Sequence, residues 1–274
     1  MPHKLVRVLS FVWVVVLVGL VSGLPIVRAQ SSLGTAQSFA VLAGSSVTNT
    51  GPSVLGGDLG VSPGSSITGF PPGTRTGTTH AADATSLQAQ SDLTTQYNSL
   101  AGAACSADLT GQDLGGKTLT SGVYCFSSSA QLTGTLTLNA QGNANATFIF
   151  QVGSSLTTAS GSSVVMINGG NPCGVAWQIG ISATLGSTTA FLGNLITLTS
   201  ISLNNGANIT GRALARNGAV TLDTNNISFA SCAAGSGPPP VPSLSTWAVV
   251  ALVGLLGLAG FATLRRRRPL NDPV

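Results

Sequence analysis

Acid–base and metal chemistry find little to work with in this chain. Its 274 residues contain no Glu, and Asp58, Asp83, Asp92, Asp108, Asp113 and Asp223 stand singly on separate segments. Glycosidic cleavage needs paired carboxyl groups, and metal-assisted hydrolysis needs a clustered donor set with a base. His80 is the only His beyond the extreme N-terminus, and Cys-x-x-Cys is absent. The chain is therefore read as a non-enzyme, with no catalytic residue, metal or other cofactor expected. What recurs instead is hydroxyl and amide groups. Six triplets set Leu between small residues, mostly polar: Thr118-Leu119-Thr120, Thr137-Leu138-Asn139, Ser155-Leu156-Thr157, Thr184-Leu185-Gly186, Ser202-Leu203-Asn204 and Thr221-Leu222-Asp223. Such groups can order water but cannot cleave a bond.

The spacing of the triplets indicates what positions them. Successive Leu residues lie 19, 18, 29, 18 and 19 positions apart, the long step containing an insertion around Gly169-Gly170-Asn171-Pro172-Cys173. A period near twenty, with strands bounded by Gly, Asn and Ser, predicts a β-solenoid. A second strand set supports several sides per coil: residues 148–152, 175–179 and 194–198. Trp177 lies in one of these apolar strands and is expected to be buried.

Side chains alternate along a strand, so each triplet Leu points inward and its neighbours outward. Stacked coils would then carry an internal Leu ladder and an external grid. The expected grid comprises Thr118, Thr120, Thr137, Asn139, Ser155, Thr157, Thr184, Ser202, Asn204 and Thr221. Thr favours strands on propensity alone, but an exposed face normally carries mixed charge, and here Asp223 is the one charged member.

One helix is expected, over residues 79–101. Leu93, Tyr97 and Leu100 share a face, extended by Leu87, Ala89 and Ala82, with Asp83 in the first turn and Gly102 after the end. The stripe reads as ordinary packing against the solenoid.

The two ends read differently. Lys4 and Arg7, the apolar run 8–24 and Val27-Arg28-Ala29 form a secretory leader over 1–29. The solenoid domain is placed at 30–234, a Pro-rich linker with a sorting motif at 235–246, an apolar helix long enough to span a membrane at 247–264, and an Arg-rich tail at 265–274. Arg265, Arg266, Arg267 and Arg268 would stay cytoplasmic, leaving the domain outside. Between residues 30 and 240 there are four basic and six acidic residues, so the net charge is −2 and a nucleic-acid partner is not expected. Cys105, Cys125, Cys173 and Cys232 are an even set in an exported chain, so disulfides are expected. Of three connectivities, Cys105–Cys125 with Cys173–Cys232 is favoured because each pair closes a local stretch.

Two resemblances add to this reading. Val241-Pro242-Ser243-Leu244-Ser245-Thr246-Trp247, the apolar run and the Arg cluster resemble IPTL-type sorting signals, relatives of the PEP type, although the usual Ile-Pro-Thr-Leu is altered. That likeness implies a membrane sorting protease as a partner and a cell-surface destination. Residues 33–232 resemble the microbial ice-binding family, which folds as a discontinuous right-handed β-solenoid with one long helix packed alongside. The likeness rests on Leu33-Gly34-Thr35-Ala36-Gln37-Ser38-Phe39-Ala40-Val41-Leu42-Ala43-Gly44 and on Gly57-Asp58-Leu59-Gly60-Val61-Ser62-Pro63-Gly64. It continues in Asp113-Leu114-Gly115-Gly116-Lys117-Thr118-Leu119-Thr120-Ser121-Gly122-Val123-Tyr124 and Gly211-Arg212-Ala213-Leu214-Ala215-Arg216-Asn217-Gly218-Ala219-Val220-Thr221-Leu222.

The family implies that the segment before the helix returns to stack on later coils. It also implies an ice-binding site on one flat face extending into adjoining turns, where some members carry Thr-Ala/Gly-x-Thr/Asn. Asn205-Gly206-Ala207-Asn208 matches this in part, and Thr158-Ala159-Ser160-Gly161 departs at its last position, which adds Thr158, Asn205 and Asn208 to the expected site. Arg212 and Arg216, within a matching stretch, are expected to bond carbonyls at coil turns. The expected partner is ice, met by a monomer that inhibits ice growth and recrystallisation, and the spacings of stacked strands lie near repeats of the ice lattice. The alternative is a cell-surface adhesin or carbohydrate-binding module, which would expose aromatic side chains beside polar groups.

Overall fold

The computed structural model describes residues 33–229. Short strands, paired in parallel throughout, wind into a three-sided solenoid. The first side stacks Ala107–Asp108, Gly122–Phe126, Phe148–Val152, Val175–Ile179, the second halves of Ala190–Thr197 and Asn208–Ala215, then Phe39–Ala43, Asp58–Val61 and Thr79–Ala81. The second side is a separate seven-stranded sheet: Ala130–Leu132, Leu156–Thr158, Ala183–Leu185, Ile201–Leu203, Val220–Asp223, Ser46–Thr50 and Ser66–Thr68. The third runs from Thr118–Thr120 through Thr135–Asn139, Ser163–Ile167, the first halves of Ala190–Thr197 and Asn208–Ala215, and Asn226–Ser228, to Val54–Leu55 and Thr74–Arg75. We call these the helix face, the hydroxyl face and the mixed face.

The stack is discontinuous in sequence, as the family resemblance implied. The last coil of the chain, through Val220–Asp223, pairs with Ser46–Thr50 from before the helix. Chain order and stacking order therefore differ, and a long element must carry the chain back to the other end. Helix α1 (Ala84–Ala101) does so. Its 18 residues span ~27 Å, against ~38 Å for the nine strands of the face it covers.

The helix begins later than residue 79. Thr79–Ala81 is instead the last strand of the helix face, and Asp83 is the N-cap, its carboxylate accepting from the Ser86 N–H at 2.8 Å in a capping box. The stripe is narrower too. Ala89, Leu93, Tyr97 and Leu100 are buried against Phe39, Leu42, Ile196 and Leu214, whereas Leu87 is 62% exposed and Ala82 precedes the helix with φ 53°. Polar contacts fix the docked pose. Gln90 Nε2 donates to Ala215 O at 3.1 Å, Gln151 Nε2 donates to Leu100 O and Ala103 O at 2.7 Å each, and Arg216 stacks on the Tyr97 ring at 4.8 Å.

Inside, aliphatic side chains are joined by stacked aromatic rings. Phe150 and Trp177, partners in register, lie 3.8 Å apart at 10°, flanked by Tyr124 and Phe191. Trp177 is fully buried and its Nε1–H donates to Leu192 O at 3.0 Å, so its one polar group is satisfied. Cys105–Cys125 is a disulfide that ties the exit of α1 to the helix face. Cys173 is also disulfide-bonded. Cys232, its expected partner, lies outside the described residues, as do the leader 1–29, the linker 235–246, the spanning segment 247–264 and the tail 265–274. Among the described residues no helix is long and apolar enough to cross a membrane.

Candidate functional site

The hydroxyl face puts one outward side chain from each strand into a single row. Register runs from Gln131 to Thr157, Thr184, Ser202, Thr221, Thr48 and Thr68. Each is flanked by inward residues, for example Ala183 and Leu185 around Thr184, which anchor the strand in the core. Two positions back along the same register lies a second row of Ser155, Ser182, Ser200, Ala219, Ser46 and Ser66. At ~4.8 Å per strand the rows extend about 29 Å. Neither row holds a charged residue.

The corner beyond these rows is pinned from inside by buried polar side chains. Ser162 Oγ donates to Leu132 O at 3.0 Å, and Thr158 Oγ1 lies 2.8 Å from Thr189 Oγ1. Asn225 Nδ2 bridges Asn204 O and Ala207 O at 3.0 and 2.8 Å, and Asn49 Nδ2 bridges Gly51 O and Gly69 O at 2.8 Å each. These bonds tie one coil's turn to the next, so the turns repeat at the strand spacing and the rows stay level.

The sequence-based site is thereby divided. Thr157, Thr184, Ser202 and Thr221 share the main row, Ser155 sits in the second, and Asn204 is exposed at the margin. Asn205 lies in the corner, donating to Asp223 Oδ1 at 3.1 Å. Thr118, Thr120, Thr137, Asn139 and Asn208 belong to the mixed face. The 18-residue step from Leu138 to Leu156 caused this misassignment, because it links the mixed face of one coil to the hydroxyl face of the next. Leu138 is stacked between Leu119 and Met166, and Leu156 between Ala130 and Ala183, so the two do not pair. Thr158 is no surface residue at all. It is 3% exposed, and its hydroxyl also accepts from the Gly186 N–H at 2.9 Å.

Thr48, Thr68, Ser46 and Ser66 were missed. Ser46-Val47-Thr48 and Ser66-Ile67-Thr68 repeat the small-polar, aliphatic, small-polar pattern, but with Val47 and Ile67 in place of Leu. The mixed face differs in chemistry. Val54, Val165 and Ile167 are exposed there at 46%, 38% and 40%, among Thr118, Thr137 and Thr210.

The carboxylates are occupied by the fold. Asp58 accepts from the Thr78 N–H, Asp92 from the Thr35 N–H and hydroxyl, Asp108 from the Thr110 N–H, and Asp113 from the N–H groups of Gly115 and Thr133. Hydrogen bonds from the Ser86 backbone and His80 hold Asp83 below the usual carboxylate range, those from Thr35 do so for Asp92, and those from Thr110 for Asp108. Burial pushes Asp113 upward, but bonds from Gly115 and Thr133 outweigh it. Among the described residues no three His, Cys, Asp or Glu side chains gather to hold a metal ion. Arg212 is buried, donating to Gln37 O at 2.7 and 3.0 Å and to Asn194 Oδ1 at 3.0 Å, and burial pushes its guanidinium down to about 10. Its bonds to the Gln37 carbonyl fit the structural role expected of it.

The protein is thus a parallel three-sided β-solenoid with one returning helix, and one of its sheets carries two charge-free rows of mostly hydroxyl-bearing side chains. Residues 41–228 match the Ice-binding-like family, and residues 239–268 match the IPTL-CTERM motif. The chain belongs to the ice-binding family. It is 61% identical to an ice-binding protein of Nostoc sp. (strain HG1) over 201 residues, 73% of this chain and 74% of that one. It is 31% identical to an ice-binding protein of Flavobacterium frigoris (strain PS1) over 215 residues, 72% and 76% of the two chains. Among solved structures, an ice-binding protein from an Antarctic biological consortium superposes with a TM-score of 0.72 at 45% identity, covering 75% of this chain and 94% of that one. One from the Antarctic ascomycete Antarctomyces psychrotrophicus superposes at 0.70 with 41% identity, covering 72% and 97%.

Proposed function

We propose that this protein adsorbs to ice through the hydroxyl face and thereby slows ice growth and recrystallisation. The observation that carries the reading is the uncharged row Thr157, Thr184, Ser202, Thr221, Thr48 and Thr68, held in register on adjacent strands. Strands ~4.8 Å apart and outward residues ~6.7 Å apart along each strand come close to repeats of the ice lattice. A Thr hydroxyl bonds water while its methyl group orders the water alongside, and β-branching leaves little rotamer entropy to lose. Water ordered on such a face merges with the crystal, and ice then advances only as curved fronts between adsorbed molecules. The relatives' names, all ice-binding proteins, support the same function.

The IPTL-CTERM motif supports a secreted, surface-sorted protein. On this reading residues 1–29 direct export, 247–264 hold the chain in the membrane at least transiently, and a membrane sorting protease processes the tail. The protein acts as a monomer and without a cofactor. Carbohydrate binding is disfavoured because Trp177, Phe148, Phe150 and Phe191 are buried.

Ice grown in the presence of the protein tests the reading. Faceted crystals and slowed recrystallisation are expected, with both lost in Thr157→Tyr and Thr184→Tyr. Unshaped ice at high protein concentration would refute ice binding. Full activity in both variants would leave ice binding standing and refute the face.

A further inference from the structure

The corner where each coil turns from the hydroxyl face to the mixed face repeats through five successive coils. Gly161 N–H donates to Ser187 O at 2.9 Å, Thr188 N–H to Asn205 O at 3.0 Å, and Gly206 N–H to Asp223 O at 3.1 Å. Thr224 N–H then donates to Thr50 O, the residue before Gly51, at 2.9 Å. Gly161, Thr188, Gly206, Thr224 and Gly51 therefore hold equivalent positions, stacked at the strand spacing of ~4.8 Å. All five are left-handed, with φ of 71°, 57°, 70°, 55° and 80° in that order. Three are the glycine that this conformation favours. The other two are threonine.

A β-branched side chain crowds a left-handed backbone, so Thr is a costly choice here. Among the described residues the non-glycines of positive φ are Ala82, Gln141, Asn168, Thr188 and Thr224, and the two β-branched ones both fall in this column. Both are exposed. Thr188 Oγ1 donates to Ser187 O at 2.7 Å and Thr224 Oγ1 to Asp223 Oδ1 at 3.1 Å, each to its own neighbour in the turn, so neither bond ties one coil to the next. The glycines between them leave room for the threonine side chains: a Cβ on Gly51 would lie 2.3 Å from Thr224 Oγ1. Since the same turn closes with Gly in three coils, the fold does not require Thr. Strain kept at exposed positions points to something outside the chain. Solubility alone would be met by Asn or Asp, which take this conformation with less strain. What Thr adds is a hydroxyl beside a methyl group, the same pair that Thr157, Thr184, Thr221, Thr48 and Thr68 carry on the hydroxyl face.

We infer that Thr188 and Thr224 form a further line of ice contact, which carries the binding surface off the flat sheet and onto the corner toward the mixed face. This rests on the ice-binding reading above. The two threonines stand two strand spacings apart, ~9.6 Å, so their line keeps the repeat of the hydroxyl rows. The carboxylate at this corner is occupied, since Asp223 Oδ1 accepts from Asn205 Nδ2 and Thr224 Oγ1 at 3.1 Å each. Stability is thus given up at two positions to widen the surface that holds the crystal.

The full chain carrying Thr188→Gly and Thr224→Gly together tests this, with thermal hysteresis and melting temperature measured on the same samples. Hysteresis should fall about twofold or more at equal concentration, because adsorption depends on many contacts engaging together. The melting temperature should hold or rise, by up to about 4 °C, as the strained threonines are relieved. Gln141→Gly, which relieves the same conformation between the mixed and helix faces, should keep the parent's hysteresis. Unchanged hysteresis in the double variant overturns the inference and leaves ice binding standing. A fall in hysteresis accompanied by a lower melting temperature, or matched by Gln141→Gly, overturns it too, because the threonines would then act through the fold. If the parent chain itself leaves ice unshaped and shows no hysteresis, the ice-binding reading fails, and this inference with it.

Discussion

Ser202→Tyr is the most demanding test of the hydroxyl face. Ser202 is on the central strand of the seven, with Thr184 and Thr221 beside it in the row. A Tyr there stands roughly 4 Å higher than Ser, counting its extra bonds at ~1.4–1.5 Å each. Neighbouring rungs are only ~4.8 Å away, so ice resting on the ring tip is held beyond the ~2.8 Å reach of an O–H···O bond over Thr184 and Thr221. The contiguous row of about 29 Å is left with two fragments, Gln131–Thr157 and Thr48–Thr68, each a single strand spacing long. Thermal hysteresis should fall about fivefold or more, because adsorption depends on many rungs engaging together. Folding should change by no more than ~0.5 kcal/mol, since the substituted side chain points outward. The control is Thr137→Tyr, the same kind of substitution on the mixed face. Hysteresis measured by nanolitre cryoscopy, with circular dichroism on each variant, decides the matter. If Ser202→Tyr keeps full activity while Thr137→Tyr loses it, the hydroxyl face is the wrong face.

Three further outcomes follow from the same geometry. Asp83, Asp92, Asp108 and Asp113 all titrate below their unfolded value of about 3.9. Their contribution to stability is thus present above that pH and lost as pH falls through the folded values. The melting temperature should be level from about pH 5 to 8 and drop below about pH 4, while ice shaping by folded protein stays constant, the rows having no titratable group. Replacing Cys105 and Cys125 by Ser opens a loop with sequence separation 20 and should cost about 2–3 kcal/mol in urea denaturation, with ice shaping retained; an unchanged midpoint would contradict this. Thr158→Val removes the buried bonds to Thr189 and Gly186 and should cost about 1–2 kcal/mol. Its hysteresis in the cold should match the parent, and a loss as deep as that expected of Thr157→Tyr would mean that Thr158 reaches the ice.

Much was legible in the residues alone. Alternation of small polar and aliphatic side chains fixed strands and their inward faces, and so the Leu ladder, because alternation is a local property of extended chain. Leu93, Tyr97 and Leu100 marked the helix for the same reason, at the helical period. Local closeness also picked out Cys105–Cys125 correctly.

What the residues could not say was which triplets share a side. Thr137-Leu138-Asn139 and Ser155-Leu156-Thr157 are near-identical locally, yet they sit on different faces, because the face is set by the number of corners between them. Corner lengths vary from a single glycine at Gly193 to the insertion ending at Cys173. Nor could alternation show that Thr158 turns inward, since the bond to Thr189 spans 31 residues of sequence. Ser46-Val47-Thr48 joins the row only because α1 carries the chain back along the stack and lets the first coils pair with the last. Strand pairing between segments so distant in sequence is a tertiary choice, made where buried area and backbone hydrogen bonds are both satisfied. The sequence by itself determined the kind of surface this protein can present; the stacking order determined where that surface lies.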